Sequence, residues 1–274
     1  MGTTGRNDAG SPFGFAGQTA AVTGGTRGIG RGIAEAFLAA GADVVVCGRS
    51  EVAADDLPSA TGPDGAVRTA VHLVADVRDA AQAASVVTGT VDRFGRLDVL
   101  VNNAGGSPEA DAATASPRFS TSIVTLNLLA PLFCAQAANA VMQEQDSGGS
   151  IVNIASVSGL RPSPGTAAYG AAKAGLINLT RSLAVEWAPK VRVNCVSAGL
   201  VATGAADDHY GGAEGSAAVA ATVPLGRLAT PADIAPLCLF LASPELSAYV
   251  SGANLVAHGG GEWPSFLSAA RGER

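Results

Sequence analysis

The sequence predicts an α/β fold, a single domain built on a doubly wound, seven-stranded parallel sheet with helices on both faces. Three observations predict it. Short β-branched runs alternate with longer alanine-rich segments, each short run is nearly uniformly apolar, and no linker or internal repeat divides the 274 residues. We expect the domain to span residues 15–261, between a flexible tail at 1–14 and a second tail at 262–274.

The elements follow one another along the chain. Seven apolar runs are predicted to be strands: Thr19–Thr23, Asp43–Cys47, Val71–Ala75, Leu97–Val101, Ser150–Ala155, Arg192–Val196 and Asn254–Ala257. Five segments between them are predicted to be helices: Gly30–Ala40, Asp79–Phe94, a long one near Phe119–Gln145, Ala167–Trp187 and Pro231–Leu241. The segment at about 199–222 is rich in Gly and Ala and has weak periodicity, which is typical of a lid over a binding site.

Composition excludes several classes of function. The net charge is −6, only 15% of residues are charged, and no long Lys/Arg run is present, so we expect no nucleic-acid partner. The four cysteines form no CxxC pair and are expected to be buried free thiols, and the three histidines lack metal-ligand spacing. We also expect no membrane span and no signal peptide, which favours a cytoplasmic location.

A glycine-rich turn, Thr23-Gly-Gly-Thr-Arg-Gly-Ile-Gly, lies between the first strand and the first helix. Small residues let a ligand approach the backbone, and a helix N-terminus attracts anions, so this context predicts a phosphate cradle. The spacing Gly24-x-x-x-Gly28-x-Gly30 differs from the GxGxxG fingerprint. A tight structural turn is the alternative interpretation.

The end of the second strand bears on cofactor choice. NAD-preferring Rossmann proteins usually carry an acidic residue there, which binds the adenosine ribose. This chain has Gly48 at that position and Arg49 directly after it. Together with Arg27 in the glycine turn, Arg49 suits a 2′-phosphate, which predicts NADP(H) as the preferred cofactor, with NAD(H) possible. The alternative is that both arginines are solvated surface charges.

These motifs, with three others, resemble the short-chain dehydrogenase/reductase family. The others are Asn102-Asn-Ala-Gly after the fourth strand, Ser156, and the pair Tyr169-x-x-x-Lys173, which lies on one helical face. The resemblance covers roughly residues 15–261. Two positions depart from the family pattern: Ala198 stands where a proline is common, and His258 where an aspartate is common.

The resemblance implies catalytic roles for four residues. Tyr169 would be the general acid/base, and Lys173 would bind the nicotinamide ribose and lower the pKa of Tyr169. Ser156 would hydrogen-bond the reacting oxygen, and Asn127 would fix a water that links Lys173 to solvent. Taken singly, Ser156 could be a turn residue, Asn127 a satisfied helix amide and Lys173 a surface lysine.

The resemblance also implies a dinucleotide-binding set. Asp76 and Val77 would contact the adenine, and residues 103–105 would line the cofactor groove. Leu200, Val201 and Thr203 would pack on and hydrogen-bond the nicotinamide carboxamide. The full set expected to bind cofactor is Gly24, Thr26, Arg27, Gly28, Ile29, Gly30, Arg49, Ser50, Asp76, Val77, Asn103, Ala104, Gly105, Tyr169, Lys173, Leu200, Val201 and Thr203.

The implied activity is hydride transfer between NADP(H) and a small-molecule ketone or secondary alcohol, in a homo-oligomer that is most often a tetramer. The expected pocket walls are Ser107–Ala112, Val157–Pro164 and Leu200–Thr222. A 3-ketoacyl reductase acting on an acyl carrier protein or CoA thioester is an alternative; the turn at 143–149 and the loop at 199–222 lack basic residues that would grip an acidic carrier. A non-catalytic dinucleotide-binding regulator is a second alternative, which the presence of all four catalytic residues disfavours.

Overall fold

A seven-stranded parallel sheet lies at the centre of the computed structural model, which describes residues 13–203, 212–264, 266–267 and 270. The sheet order is β5-β2-β1-β6-β7-β8-β9, and β3 and β4 form a separate antiparallel pair. The strands are β1 Thr19–Thr23, β2 Asp43–Gly48, β3 Ser59–Thr61, β4 Val67–Thr69, β5 Val71–Val74, β6 Val99–Asn102, β7 Gly149–Ser156, β8 Val191–Ala198 and β9 Asn254–Ala257. All seven predicted strands are confirmed, within a few residues at their ends.

Seven α-helices of the described residues surround the sheet: α1 Gly28–Ala39, α2 Ala80–Phe94, α3 Pro117–Val124, α4 Ala130–Glu144, α5 Ala167–Glu186, α6 Gly212–Ala221 and α7 Pro231–Ala242. Local signals set their ends. Asp79 caps α2 by accepting a hydrogen bond from the Gln82 amide, and Gly95, with φ of +76°, ends the helix. Short 3₁₀ turns occupy Ala54–Asp56 and Val157–Gly159.

The helices bury their apolar sides against both faces of the sheet. On one face, α1 and α7 pack Phe37 and Ile234 into one core cluster. On the other, α2 and α4 contribute Val86 and Met142 to a second cluster. Phe15 is buried edge-on against Phe37, with ring centroids 5.0 Å apart, so the ordered fold includes that residue. Most of the predicted tail at 1–14 lies outside the described residues.

The crossover from β2 to β5 differs from the expected βαβ pattern. A hairpin of β3 and β4 lies there, and the turn Gly62-Pro-Asp-Gly65 connects its strands. Arg68 of β4 forms an ion pair with Asp64 of this turn. Each strand has only three residues, too few to show strand periodicity in the sequence. The predicted lid also contains a helix, α6, while residues 204–211 of that segment lie outside the described residues.

The long predicted helix is three consecutive helical segments, because a π-helical turn at Thr125–Leu129 joins α3 to α4. Contrary to expectation, the whole stretch Pro117–Glu144 is long and apolar enough to cross a membrane, judged by length and composition alone. In the fold, Cys134, Ala138 and Met142 of this stretch are fully buried beneath the sheet. Its apolar character therefore has a packing role within the domain.

The four cysteines are buried free thiols, as expected. Burial raises the pKa of Cys47 and Cys195 to about 11 and that of Cys134 to about 12, and it raises the pKa of Cys238 further still. Thiols of this kind act as small apolar side chains.

Candidate active site

The candidate site lies at the carboxyl ends of the strands, where the strand order reverses between β1 and β6. Two turns meet at this point. The Thr23 hydroxyl at the end of β1 accepts hydrogen bonds from the backbone amides of Asn103 and Ala104, both at 3.0 Å. The side-chain nitrogen of Asn103, Nδ2, donates in return to the carbonyls of Thr23 and Gly24, at 3.0 and 3.2 Å. The glycine turn is thus tied to the segment after β6.

The glycines of this turn are required by its geometry. Gly24 and Gly28 have φ of +63° and +55°, in the left-handed region that favours glycine. A Cβ on Gly30 would lie 2.4 Å from both the Gly24 carbonyl oxygen and the Asn103 amide nitrogen. Among the described residues no side chain caps the N-terminus of α1, and its first turn contains no acidic residue. The positive end of α1 is therefore suited to an anion, which fits the pyrophosphate of a dinucleotide.

The expected adenosine end of the site is rich in charge. Arg27, Arg49 and Ser50 are exposed, and Val77 is buried. Asp76 is half-buried, and its Oδ1 accepts a hydrogen bond from Arg78 Nε at 2.9 Å. Hydrogen bonding to Arg78 holds the pKa of Asp76 below its usual value, and the charge of Arg49 contributes to the same shift. Arg78, which carries no motif signal in the sequence, adds a third arginine to this end.

The reactive end is formed by β7 and α5. Ser156 is the last residue of β7, Tyr169 lies in the first turn of α5, and Lys173 lies one turn later on the same face. The Ser156 hydroxyl is hydrogen-bonded to the Tyr169 hydroxyl. Lys173 is only 3% exposed, and its Nζ donates to the Ile154 carbonyl at 2.8 Å and lies 5.6 Å from the Tyr169 ring centroid. The structure thus brings these three side chains together.

Burial dominates the pKa values at this end. It lowers the pKa of Lys173 to about 8. It raises the pKa of Tyr169, an effect that the hydrogen bond to Ser156 only partly offsets. The expected lowering of the Tyr169 pKa by Lys173 is therefore not what the structure gives, because removal of the phenolate from water outweighs other effects. Tyr169 is a neutral phenol and Lys173 an ammonium at pH 7.

Asn127 lies in the π-helical turn and is fully buried. Its Oδ1 accepts from the Gly106 amide, and its Nδ2 donates to the carbonyls of Gly106 and Ile123, all at 2.9 Å. The side chain thus clamps the segment after β6 to the helix. A Cβ on Gly105 would lie 2.7 Å from Asn127 Oδ1 and 3.2 Å from Lys173 Nζ, so Asn127 and Lys173 approach each other across this glycine.

The segment after β8 reaches the glycine turn. Val201 forms a parallel bridge with Ala229, and the Leu200 carbonyl accepts from the Ala229 amide at 2.9 Å. The Thr203 methyl group would lie 3.4 Å from a Cβ on Gly28, so this segment passes over the start of α1. The glycine turn therefore contacts the segments after β6 and after β8. Ile29 packs inward against the core, and Thr26 lies near the end of β2.

A cavity of about 250 Å³ lies beside the reactive end. Its lining comes from four parts of the chain and consists of Val157, Leu160, Arg161, Gly199, Leu200, Val223, His258, Gly261 and Glu262. Two of the predicted walls, 157–164 and 200–222, therefore contribute residues to the cavity. The third predicted wall, Ser107–Ala112, contributes none of the described lining residues. It contacts the loop before α5, where the Ala110 amide donates to the Gly165 carbonyl. The contribution of residues 258–262 was missed, because nothing in the sequence shows that this segment folds back over the pocket.

Residues 24–262 match the family described as enoyl-(acyl carrier protein) reductase. A 3-oxoacyl-[acyl-carrier-protein] reductase from Synechocystis is 36% identical over 89% of this chain and 96% of its own length. A short-chain type dehydrogenase/reductase structure from Mycobacterium marinum covers 94% of this chain and 100% of that protein, at 31% identity and a TM-score of 0.83. A Beutenbergia cavernae structure, assigned as an NAD(P)-dependent gluconate 5-dehydrogenase with NADP bound at low occupancy, covers 91% of this chain and 98% of that protein, at 37% identity and a TM-score of 0.82.

Proposed function

The chain belongs to the short-chain dehydrogenase/reductase family, and from this membership we propose that it transfers a hydride between NADP(H) and a small-molecule ketone or secondary alcohol, with Tyr169 as general acid/base. It is an oxidoreductase of the class that acts on alcohol and ketone groups. The observation that carries the proposal is the arrangement of Ser156, Tyr169 and Lys173 at the carboxyl end of β7.

The proton step follows from the protonation states of these residues. A bound nicotinamide supplies or accepts the hydride. In the reducing direction, the neutral Tyr169 hydroxyl donates its proton to the substrate oxygen as the carbonyl carbon gains the hydride, which yields the alcohol. The Ser156 hydroxyl, already hydrogen-bonded to Tyr169, is placed to hold the same oxygen. The Lys173 ammonium stabilises the phenolate that remains, since it lies 5.6 Å from the Tyr169 ring.

A turnover screen of ketones and secondary alcohols with both cofactors tests the activity. Tyr169→Phe is expected to lower kcat by about 10²–10⁴-fold, because it removes the transferable proton but keeps the ring. Binding of NADPH, followed by the change in its fluorescence, is expected to persist in this variant. If the wild-type protein binds NADPH but turns over no substrate in the screen, the regulator is the better assignment.

The preference for NADP(H) is part of the proposal. Arg27 and Arg49 are exposed beside the end of β2, where Gly48 supplies no carboxylate. Arg49→Asp should weaken NADPH binding about tenfold or more, while NADH binding changes little, because only NADPH carries the 2′-phosphate. Arg93→Asp, an exposed change on α2, is the matched control for net charge. Equal weakening of both cofactors by Arg49→Asp would contradict the assignment.

The carrier-linked alternative has support from relatives, since the Synechocystis protein is a 3-oxoacyl-[acyl-carrier-protein] reductase. We nevertheless favour a free small molecule. The turn at 143–149 and the loop at 199–222 contain no Lys or Arg, and Arg161 at the pocket is paired with Glu262. An acidic carrier would therefore meet little unpaired positive charge in these segments. Activity on a 3-ketoacyl carrier protein well above that on the free thioester would reverse this preference.

We also propose a cytoplasmic homotetramer. The four buried free thiols are typical of a reducing compartment. Val185 on α5 is 80% exposed and Tyr249, before β9, is fully exposed, and apolar side chains of this size on a surface are typical of subunit contacts. Light scattering after size exclusion checks the assembly, and a monomeric mass would contradict it.

A further inference from the structure

An ion pair stands at the cavity beside the reactive end. Arg161 and Glu262, about a hundred residues apart in the chain, form a salt bridge and both line this cavity. Their side chains are 37% and 43% exposed, so the pair lies at the mouth, between the cavity and solvent. Arg161 follows the turn that begins at Ser156, and its second donor contact is to the Pro162 carbonyl at 3.0 Å.

The remainder of the described lining is largely apolar. Val157, Leu160, Leu200 and Val223 form its walls, and His258 is the further polar side chain. Among the described lining residues, Arg161 and Glu262 carry the full formal charges. Because they are paired, the positive and negative charges at the mouth offset each other.

The backbone holds Glu262 in this position. Three glycines precede it, Gly259, Gly260 and Gly261, and all have positive φ, at 65°, 96° and 89°. Cβ atoms on Gly259 and Gly260 would lie 2.6 Å from Val223 and 2.9 Å from Pro224. Glycine is therefore needed for the close approach that turns the chain back and brings Glu262 to the cavity.

We propose that Glu262 sets the substrate charge specificity of the enzyme by occupying Arg161, so that the site selects uncharged ketones and alcohols over carboxylates. Arginine binds carboxylates through two parallel hydrogen bonds and would otherwise anchor an anionic substrate at the mouth. A substrate carboxylate must displace Glu262 and is repelled by its charge. The inference rests on the proposed reductase function and names the substrate class for it.

The test compares a keto acid with its methyl ester in wild type, Glu262→Gln, Arg161→Gln and the double variant. The measured quantity is the ratio of kcat/KM for the acid to that for the ester. Glu262→Gln should raise this ratio about fivefold, which corresponds to the ~1 kcal/mol of a partly exposed ion pair. Arg161→Gln should lower it, and the double variant should return it close to the wild-type value. Added salt should weaken both shifts.

Glu245→Gln, an exposed acid outside the cavity lining, is the matched control for net charge and should leave the ratio unchanged. If Glu262→Gln leaves the ratio unchanged while the ester is still reduced, the inference is overturned and the proposed activity stands. If the wild type turns over neither compound, calorimetry can measure the dissociation constants of the acid and of the ester for the NADPH complex. The ratio of these two constants then replaces the ratio of kcat/KM values. An unchanged ratio of these constants in Glu262→Gln likewise overturns the inference.

Discussion

Replacement of Asn127 by alanine tests whether the π-helical turn is held by this side chain. The change removes three hydrogen bonds of 2.9 Å, two to Gly106 and one to Ile123. Gly106 is exposed, so its amide and carbonyl can turn to water, whereas the Asn127–Ile123 bond is buried. Each neutral hydrogen bond contributes ~0.5–1.5 kcal/mol, so the loss of all three should lower the free energy of unfolding by about 2–4 kcal/mol.

Urea unfolding followed by circular dichroism measures this loss, and Asn178→Ala, on the exposed side of α5, is the control. The control should change stability by less than about 0.5 kcal/mol. The clamp also positions Gly105, which lies against Lys173 Nζ, so kcat should fall in Asn127→Ala even at temperatures where the variant is fully folded. A loss below about 1 kcal/mol with normal kcat would refute the clamp.

Two further predictions concern Lys173 and the glycine turn. The pKa of Lys173 is about 8 in the fold and 10.5 in the unfolded chain, so the unfolded state binds more protons between these values and the lysine's contribution to stability rises with pH across pH 8–10.5. The stability difference between wild type and Lys173→Met, from urea titrations, should therefore rise by up to about 3 kcal/mol over that range; a constant difference would contradict it. Gly30→Ala should destabilise the fold by about 1–3 kcal/mol and weaken cofactor binding, because its Cβ would lie 2.4 Å from Asn103 Nδ2. Gly89→Ala, whose Cβ would meet only the flexible end of Leu73, is the control, and equal losses would rule out the turn geometry as the cause.

The sheet could be predicted from sequence because its strands are buried on both faces. A run such as Val44–Cys47 is apolar throughout, and its glycine and alanine-rich neighbours mark where it ends. The β3–β4 hairpin could not be found in this way. Its strands are three residues long, and their side chains alternate only between exposed and partly buried, so the apolar pattern that reveals a strand is absent.

The reactive end was predictable for a different reason, which is that its parts are local motifs. Tyr169 and Lys173 lie four residues apart on one helix, and Ser156 ends the strand before it, so the chain itself brings them together. The contacts of Asn127 were not predictable, since the side chain could equally face solvent or a helix neighbour. Only the π-helical turn determines that its amide faces Gly106.

For the pKa of Tyr169, the direction of the shift expected from the sequence is opposite to the direction in the fold. A lysine one helical turn away suggests a lowered pKa, because an ammonium favours a nearby phenolate. In the fold, Lys173 is so deeply buried that its own charge is disfavoured, and the phenol is removed from water as well. Desolvation therefore decides the direction for both groups. The phenol keeps its proton at neutral pH, so in the mechanism we propose Tyr169 begins as the acid for ketone reduction. Oxidation of an alcohol would need the phenolate, so kcat/KM for oxidation, measured against pH, should rise with pH; a flat profile would contradict this role.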